Sequence, residues 1–216
     1  MEATPVTLYV DPVCPFAWIT SRWLAEVEAL RPLQVEFKIM SLSVLNEDRE
    51  LDDWYREFND LAWGSARVGA VVQRDHGAAA YRAYYEAFGR RRHVGGDRDH
   101  AKVVAEALAE TGLPADLLRF TAAGPDGVAA DPALTQEIAE ADALLRATQA
   151  EVQALVGEES GTPVIVVEGA AFFGPVSTRI ARGEEAARQF EAVRLLATCP
   201  DFAELKRARR GDLSFA

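Results

Sequence analysis

Residues 6–18 read VTLYVDPVCPFAW, and the hydrophobic period changes halfway through them. VTLYV (6–10) is short, apolar and rich in β-forming residues, the pattern of a buried strand. Asp11-Pro12 breaks it. Past Cys14-Pro15, the apolar residues Trp18, Trp23, Leu24, Val27 and Leu30 recur at helical spacing until Arg31-Pro32 ends the run. LQVEFKIMSL (33–42) then returns to period two. The reading is strand, helix, strand, with a cysteine at the helix N-terminus. The position that would complete C-x-x-C is Ala17, so the site has one thiol and no internal disulfide.

The rest of the chain falls into two parts. From Asn46 to about Glu159 the pattern is helical: LDDWYREFNDLAW and ARVGAVVQRDHGAAAYRAYYEAF carry apolar residues at i, i+3 and i+4 spacing. A polar stretch, GRRRHVGGDRD, leads into HAKVVAEALAETG, with a helix start in DRDH (97–100) and a stop at Gly112. Asp131-Pro132 supplies an N-cap and a proline at the first helical position, opening a helix to about Val156. At Gly161 the strands return. TPVIVV (162–167), a turn at Glu168-Gly169 and AAFFG (170–174) form a hairpin. Helix is expected again from Ser177 to about Arg209, interrupted at Cys199-Pro200. The expected fold is α/β, a sheet domain of residues 1–45 plus 160–216 split by an α-helical insertion domain, 46–159.

Composition narrows the class of partner. The chain has 216 residues and a formal charge of −11, which argues against nucleic acid or an anionic membrane surface. MEATPVTLYV lacks a basic n-region before an apolar core, and no segment nears the ~18 consecutive apolar residues of a membrane span. Two cysteines far apart make no disulfide framework. The expectation is a cytoplasmic protein in a reducing compartment. Arg outnumbers Lys 20 to 3 and Ala is abundant, as in proteins of GC-rich bacterial genomes.

Two short motifs carry chemistry. At a helix N-terminus, the sulfur of Cys14 faces unpaired N–H groups and the positive end of the dipole, which favour thiolate and lower the pKa from its free value near ~8.5. Pro15 fits the first turn, where no N–H is needed. The alternative is a buried cysteine acting as a small hydrophobe. Thr162-Pro163 opens a strand with a residue that forfeits a ladder hydrogen bond. Such a proline is often cis, leaving the Thr162 backbone free for an extended ligand; the alternative is an ordinary edge-strand proline. His76, His93 and His100 have no metal-ligand spacing, so no metal site is expected. No P-loop and no G-x-G-x-x-G after a strand occurs, so no tightly bound nucleotide or flavin is expected.

Taken together, strand–C-P-x-x–helix–strand, a helical insertion and G-T-P–strand–turn–strand–helix resemble the thioredoxin superfamily in its DsbA-like branch. DPVCPFAWITSRWL, MSLSVLNEDRE, RRHVGG, GTPVIVVEGAAFFGP and RGEEA are most similar to mycothiol-dependent nitroreductase-type proteins of actinobacteria. The resemblance implies that Cys14 is the nucleophile that forms a mixed disulfide with a low-molecular-weight thiol. It implies thiol-binding roles for Pro15, Phe16, Thr162 and Pro163, and a substrate cleft lined by Asn46, Tyr55 and His93, with Trp23 and Trp63 behind its walls. On the residues alone, Asn46 is equally a helix cap, Tyr55 a packing aromatic and His93 a solvated loop residue.

The departure is at Ala17, where those nitroreductases carry C-P-W-C. What remains is monothiol chemistry. The expected function is a thiol-dependent oxidoreductase that reduces a small electrophilic or aromatic substrate, with mycothiol as cosubstrate and glutathione as the other candidate. The alternative is a kappa-class-like thiol transferase or isomerase, in which the bound thiol itself attacks. A ligand-binding accessory protein is a third reading. Cys199 as a remote resolving cysteine ranks below a structural role. Relatives of this fold commonly dimerise, so a homodimer is open.

Overall fold

The computed structural model describes residues 3–158 and 160–215. Its sheet is built from β1 (Thr4–Val10), β2 (Leu33–Ile39), β3 (Val164–Val167) and β4 (Ala170–Phe173), in the order β2-β1-β3-β4. β1 and β2 are parallel, with Val6 opposite Val35 and Val10 opposite Ile39; β3 runs antiparallel to β1, with Leu8 opposite Ile165. The parallel pair needs a crossover, which α1 (Pro15–Glu28) supplies. The β3–β4 hairpin turns at Glu168 (φ 51°) and Gly169 (φ 87°), the doubly left-handed turn expected there.

Period two along β1 gives the sheet two buried faces. Val6, Leu8 and Val10 join Phe37, Ile39, Ile165 and Val167 in the main core, with Trp18, Trp23 and Leu24 of α1. Tyr9 points the other way and packs with Met40, Val152 and Val164. There α5 (Pro132–Val156) crosses the sheet, and Tyr9 Oη donates to Glu151 at 2.7 Å.

Between β2 and β3 the chain is helical, as its periodicity predicts. β2 ends at Ile39 rather than at residue 42, because Ser41 caps a short helix α2 (Leu42–Asn46), its hydroxyl accepting from Val44 N–H at 3.4 Å. α3 (Asp53–Gly89) is two helices meeting at Gly77, whose φ of 86° is outside the helical region. A π turn (Arg90–Val94) follows, and α4 (His100–Thr111) starts on the Asp99 cap and stops at left-handed Gly112. Asp131 caps α5, with Pro132 in its first turn. Tyr81, Tyr84, Tyr85 and Phe88 are core residues of α3. Gly89 lies flat against the ring of Trp18: a Cβ built there would sit 2.2 Å from the indole.

Among the described residues this layer has one buried ion pair, Arg67–Asp142. Arg67 is fully buried, donating Nε–H and Nη2–H to the two carboxylate oxygens of Asp142 at 2.7 and 3.0 Å and Nη1–H to the carbonyls of Ala123 and Gly124. Four of the five guanidinium N–H groups are matched, close to the condition under which burying the charge is tolerable.

The C-terminal part departs from expectation. α6 spans Gly183–Ala197 only, and 199–215 has no regular structure. Helical apolar spacing runs out at Leu196, Pro200 cannot continue the helix, and LKRARRGD offers no apolar face to bury. The tail folds back over the sheet domain. Phe202 packs on Phe172, Ser214 N–H donates to the Thr178 carbonyl at 2.8 Å, and Phe215 reaches His93.

Candidate active site

Cys14 is the N-cap of α1, in extended conformation (φ −76°, ψ 115°). Its Sγ accepts from Ala17 N–H at 3.5 Å and donates to the carbonyl of Thr162 at 3.4 Å. The Thr162-Pro163 bond is cis. The two motifs, 148 residues apart in sequence, therefore meet at hydrogen-bond distance. Thr162 Oγ1 fastens the meeting point, accepting from Asp11 N–H at 3.2 Å and donating to the Tyr9 carbonyl at 3.3 Å.

The thiol is buried, with 4 % of its surface exposed. Burial pushes its pKa up to about 12, and the charge of Asp11 adds to this; the Ala17 and Phe16 N–H groups oppose it and lose. The helix N-terminus alone would lower the value. Desolvation outweighs it because, among the described residues, no cation acts on the sulfur to replace water around a thiolate. In this state Cys14 is a thiol, and the expected depression of its pKa is overturned.

Asp11 is the residue whose role the sequence did not signal beyond a strand break. It is fully buried, and its carboxylate accepts from Val13 N–H at 2.8 Å and Leu42 N–H at 2.7 Å. It thus ties the cysteine loop to the first helix after β2. Burial raises its pKa to about 6, against the pull of those two N–H groups. The available signal was an acid three residues before a cysteine, at the end of an apolar strand.

His93 is not a solvated loop residue. The π turn brings it against the cysteine loop, where Nε2 meets the Pro12 carbonyl at 2.9 Å and the ring stacks on Trp18 (centroids 5.7 Å apart). Burial holds it neutral, down to about 4. Tyr81 Oη donates to the Val10 carbonyl at 3.0 Å, so α3 grips the end of β1 just before the same loop.

The other expected cleft residues, Asn46 and Tyr55, bond to one another. Asn46 is buried and donates to Leu42 O at 2.9 Å, Asn59 Oδ1 at 3.2 Å and Tyr55 Oη at 3.4 Å; Tyr55 stacks on Phe58. Among the described residues, no hydrogen bond links Asn46 or Tyr55 to Cys14, Thr162 or His93. Pro15 and Phe16 are half-buried, and the Phe16 ring carries the Arg209 guanidinium of the tail at 4.7 Å. Trp23 joins α1 to α6, donating to Ala186 O, and Trp63 lies between Arg67 and Arg146 in the helical layer. Cys199 is exposed on the tail and forms no disulfide.

A cavity of about 300 Å³ opens between α1, α6 and the tail, lined by Thr20, Trp23, Gln189 and Arg207. Another, of about 320 Å³, lies beside Trp18, Arg22, Val94, Ile180 and Phe215. Cys14 lines neither, but the second abuts the Trp18 and Phe215 rings that flank His93. No helix among the described residues is long and apolar enough to cross a membrane.

Comparison with known proteins bears on this geometry. The model of the Rv2466c-like family, described as mycothiol-dependent nitroreductase Rv2466c, matches residues 13–207. The uncharacterized protein Rv2286c of Mycobacterium tuberculosis is 28 % identical over 208 residues, covering 95 % of this chain and 83 % of that protein. The solved structure of a probable DsbA oxidoreductase, SCO1869 from Streptomyces coelicolor, has a TM-score of 0.52 at 15 % identity, over 95 % of this chain and 94 % of that one. At that identity the likeness is one of fold, a thioredoxin-like sheet with a DsbA-like helical insertion.

Proposed function

Because this chain belongs to the mycothiol-dependent nitroreductase family and is a thiol-dependent oxidoreductase, we propose that it reduces a small electrophilic or aromatic substrate through Cys14 alone, with mycothiol as cosubstrate. The observation that carries this reading is the contact of the Cys14 thiol with the Thr162 carbonyl beside a cis proline, at the N-terminus of α1. With Ala17 in the fourth position, the electrons come from two free thiols. Substrate, the Cys14 thiol and one thiol RSH give reduced substrate, which gains two electrons and two protons, and the mixed disulfide Cys14–S–S–R. A second RSH then attacks the mixed disulfide, releasing RSSR and restoring the thiol. Pro15, Phe16, Thr162 and Pro163 hold the thiol; Asn46, Tyr55 and His93 bound the substrate side. The insertion, 46–159, acts as a domain on the sheet of 1–45 plus 160–216, its 159 boundary falling on a residue outside those described. A reducing cytoplasm, which maintains free thiols, suits this cycle.

One observation favours a second reading. A buried thiol with its pKa raised is a poor nucleophile until ligand entry alters its surroundings. In a kappa-class-like transferase or isomerase, the bound thiol attacks the substrate and Cys14 only donates a hydrogen bond. Intact-mass measurement after incubation with oxidised mycothiol, or oxidised glutathione, separates the two. A single adduct on the wild type, absent from Cys14→Ser and reversed by free thiol, is the outcome expected of monothiol redox chemistry. No adduct, with thiol-dependent turnover retained by Cys14→Ser, would establish the transferase reading instead.

A further inference from the structure

The cavity between α1, α6 and the tail begins where the cysteine motif ends. Phe16, Ile19, Thr20 and Trp23 follow the i, i+3, i+4, i+7 spacing of one helix face, and the last three line the cavity. Its wall thus continues from the ring two residues past Cys14. Pro175, Ala192 and Val193 complete the apolar lining. The donors on this wall are already spent. Trp23 Nε1–H goes to the Ala186 carbonyl at 3.2 Å, and the Thr20 hydroxyl to the Pro175 carbonyl at 2.7 Å.

One cation stands against that wall, Arg207 of the tail. Among the described residues it forms no ion pair, whereas the exposed Arg179 and Arg182 meet Glu185 and Glu26. The tail is irregular, yet it is anchored on both sides of Arg207. Before it, Phe202 packs on Phe172. After it, the Arg209 guanidinium lies over the Phe16 ring at 4.7 Å, and the Arg210 carbonyl accepts from Thr178 Oγ1 at 3.2 Å. Thr178 in turn adjoins Ser177, which also lines the cavity. The guanidinium is therefore held at the cavity by contacts that leave its own five N–H donors unused.

We infer that this cavity binds a small apolar molecule carrying a carboxylate, its body against Ile19, Trp23 and Val193 and its oxygens on Arg207. Every other lining residue is uncharged. One guanidinium on such a lining balances a monoanion, which selects a carboxylate over a phosphate dianion; its fork matches the two oxygens. The volume, about 300 Å³, is that of a small-ligand site. The site stands independently of whether Cys14 reacts with a thiol.

Protein labelled with 5-fluorotryptophan gives a direct test, since the chain has only Trp18, Trp23, Trp54 and Trp63. Trp23→Phe assigns the fluorine resonance of the cavity wall. The labelled protein is titrated with 2-naphthoate and, separately, with its neutral counterpart 2-naphthamide. Naphthoate should shift the Trp23 signal saturably and bind about tenfold tighter than the amide, the difference between a charge-assisted and a neutral hydrogen bond. Arg207→Gln should bring that ratio close to one. Arg210→Gln, a cation of the same tail that does not line the cavity, should leave it within about twofold of wild type. Both substitutions lie in the irregular tail, outside the packed core. Equal binding of the two compounds, a ratio unchanged in Arg207→Gln, or no saturable Trp23 shift with either compound overturns the site. So does an equal loss in Arg210→Gln, which would mean diffuse attraction by the tail.

Discussion

Among the described residues two arginines are buried in the helical layer, and they are treated in opposite ways. Arg67 has a carboxylate and two carbonyls arranged around it; Arg92 has one carbonyl and a second arginine nearby. Arg67 is on the first half of α3 and Arg92 in the π turn after its second half, beyond the kink at Gly77. Arg67 binds α3 to α5 and to the loop at 123–124. Arg92 binds little, and lies next to the residue that contacts the cysteine loop. A buried charge with acceptors arranged around it holds elements together; one with a single carbonyl contributes little to the fold.

The largest test of this contrast is stability. Arg67→Met strands a buried Asp142 carboxylate and should cost about 3–5 kcal/mol in denaturant unfolding. Arg92→Met removes one neutral-acceptor hydrogen bond and a repelled charge, and should stay within about 1 kcal/mol of wild type. Equal losses would erase the distinction.

The next effect in size is the response to acid. His93 is held neutral down to about 4, so its stabilising share is complete above its ordinary value near 6.5 and is lost as pH falls through 4. His100, beside Arg92, behaves in the same sense. Asp11 works the other way: with its pKa raised to about 6, its share is greatest below its ordinary value near 4 and is lost as pH rises through 6. Each shift of some two units corresponds to roughly 3 kcal/mol. His100→Gln should therefore flatten the loss of stability between pH 6.5 and 4, and Asp11→Asn should steepen it. Parallel unfolding curves for all three proteins would contradict these assignments.

A smaller effect tests whether the Arg67 pair is needed as a pair. Arg67→Met combined with Asp142→Leu should recover most of the single-variant loss, to within about 1–2 kcal/mol of wild type, since apolar replacement of a whole buried pair is often near neutral. Smallest of all is an exposed ion pair. Glu26→Gln, which breaks the contact with Arg182, should cost less than about 1 kcal/mol. A larger loss there would mean that surface charge contributes far more than the buried pair suggests.

The features legible in the sequence share one property, that local chemistry decides them. Cys14-Pro15, Asp99, Gly112, Asp131-Pro132 and Glu168-Gly169 each mark a helix end or turn by rules that need no distant partner. Thr162-Pro163 announced itself for the same reason. What was not legible depends on burial. The state of the Cys14 thiol is set by how much water reaches it, and the helix N-terminus, which the sequence does reveal, points the wrong way. His93 lay in a stretch of arginines and glycines that reads as solvent-exposed, yet the π turn carries it inward. Asn46 and Tyr55 could be seen as polar and aromatic, but the hydrogen bonds of Asn46 to Tyr55 and Asn59 join two helices and are tertiary facts. The residues of the tail tolerate a helix, but LKRARRGD has no apolar face to bury in one.

The contact between Gly89 and Trp18 has a consequence for inheritance. One residue belongs to the inserted helices and the other to the helix that carries the cysteine, and a single methyl group cannot be added between them without displacing the indole. The two positions must therefore change together or not at all. A helical layer taken from a relative with alanine at this point would be refused by this sheet, however well its surfaces matched. The inserted helices and the helix that carries the cysteine meet where a hydrogen atom takes the place of a side chain.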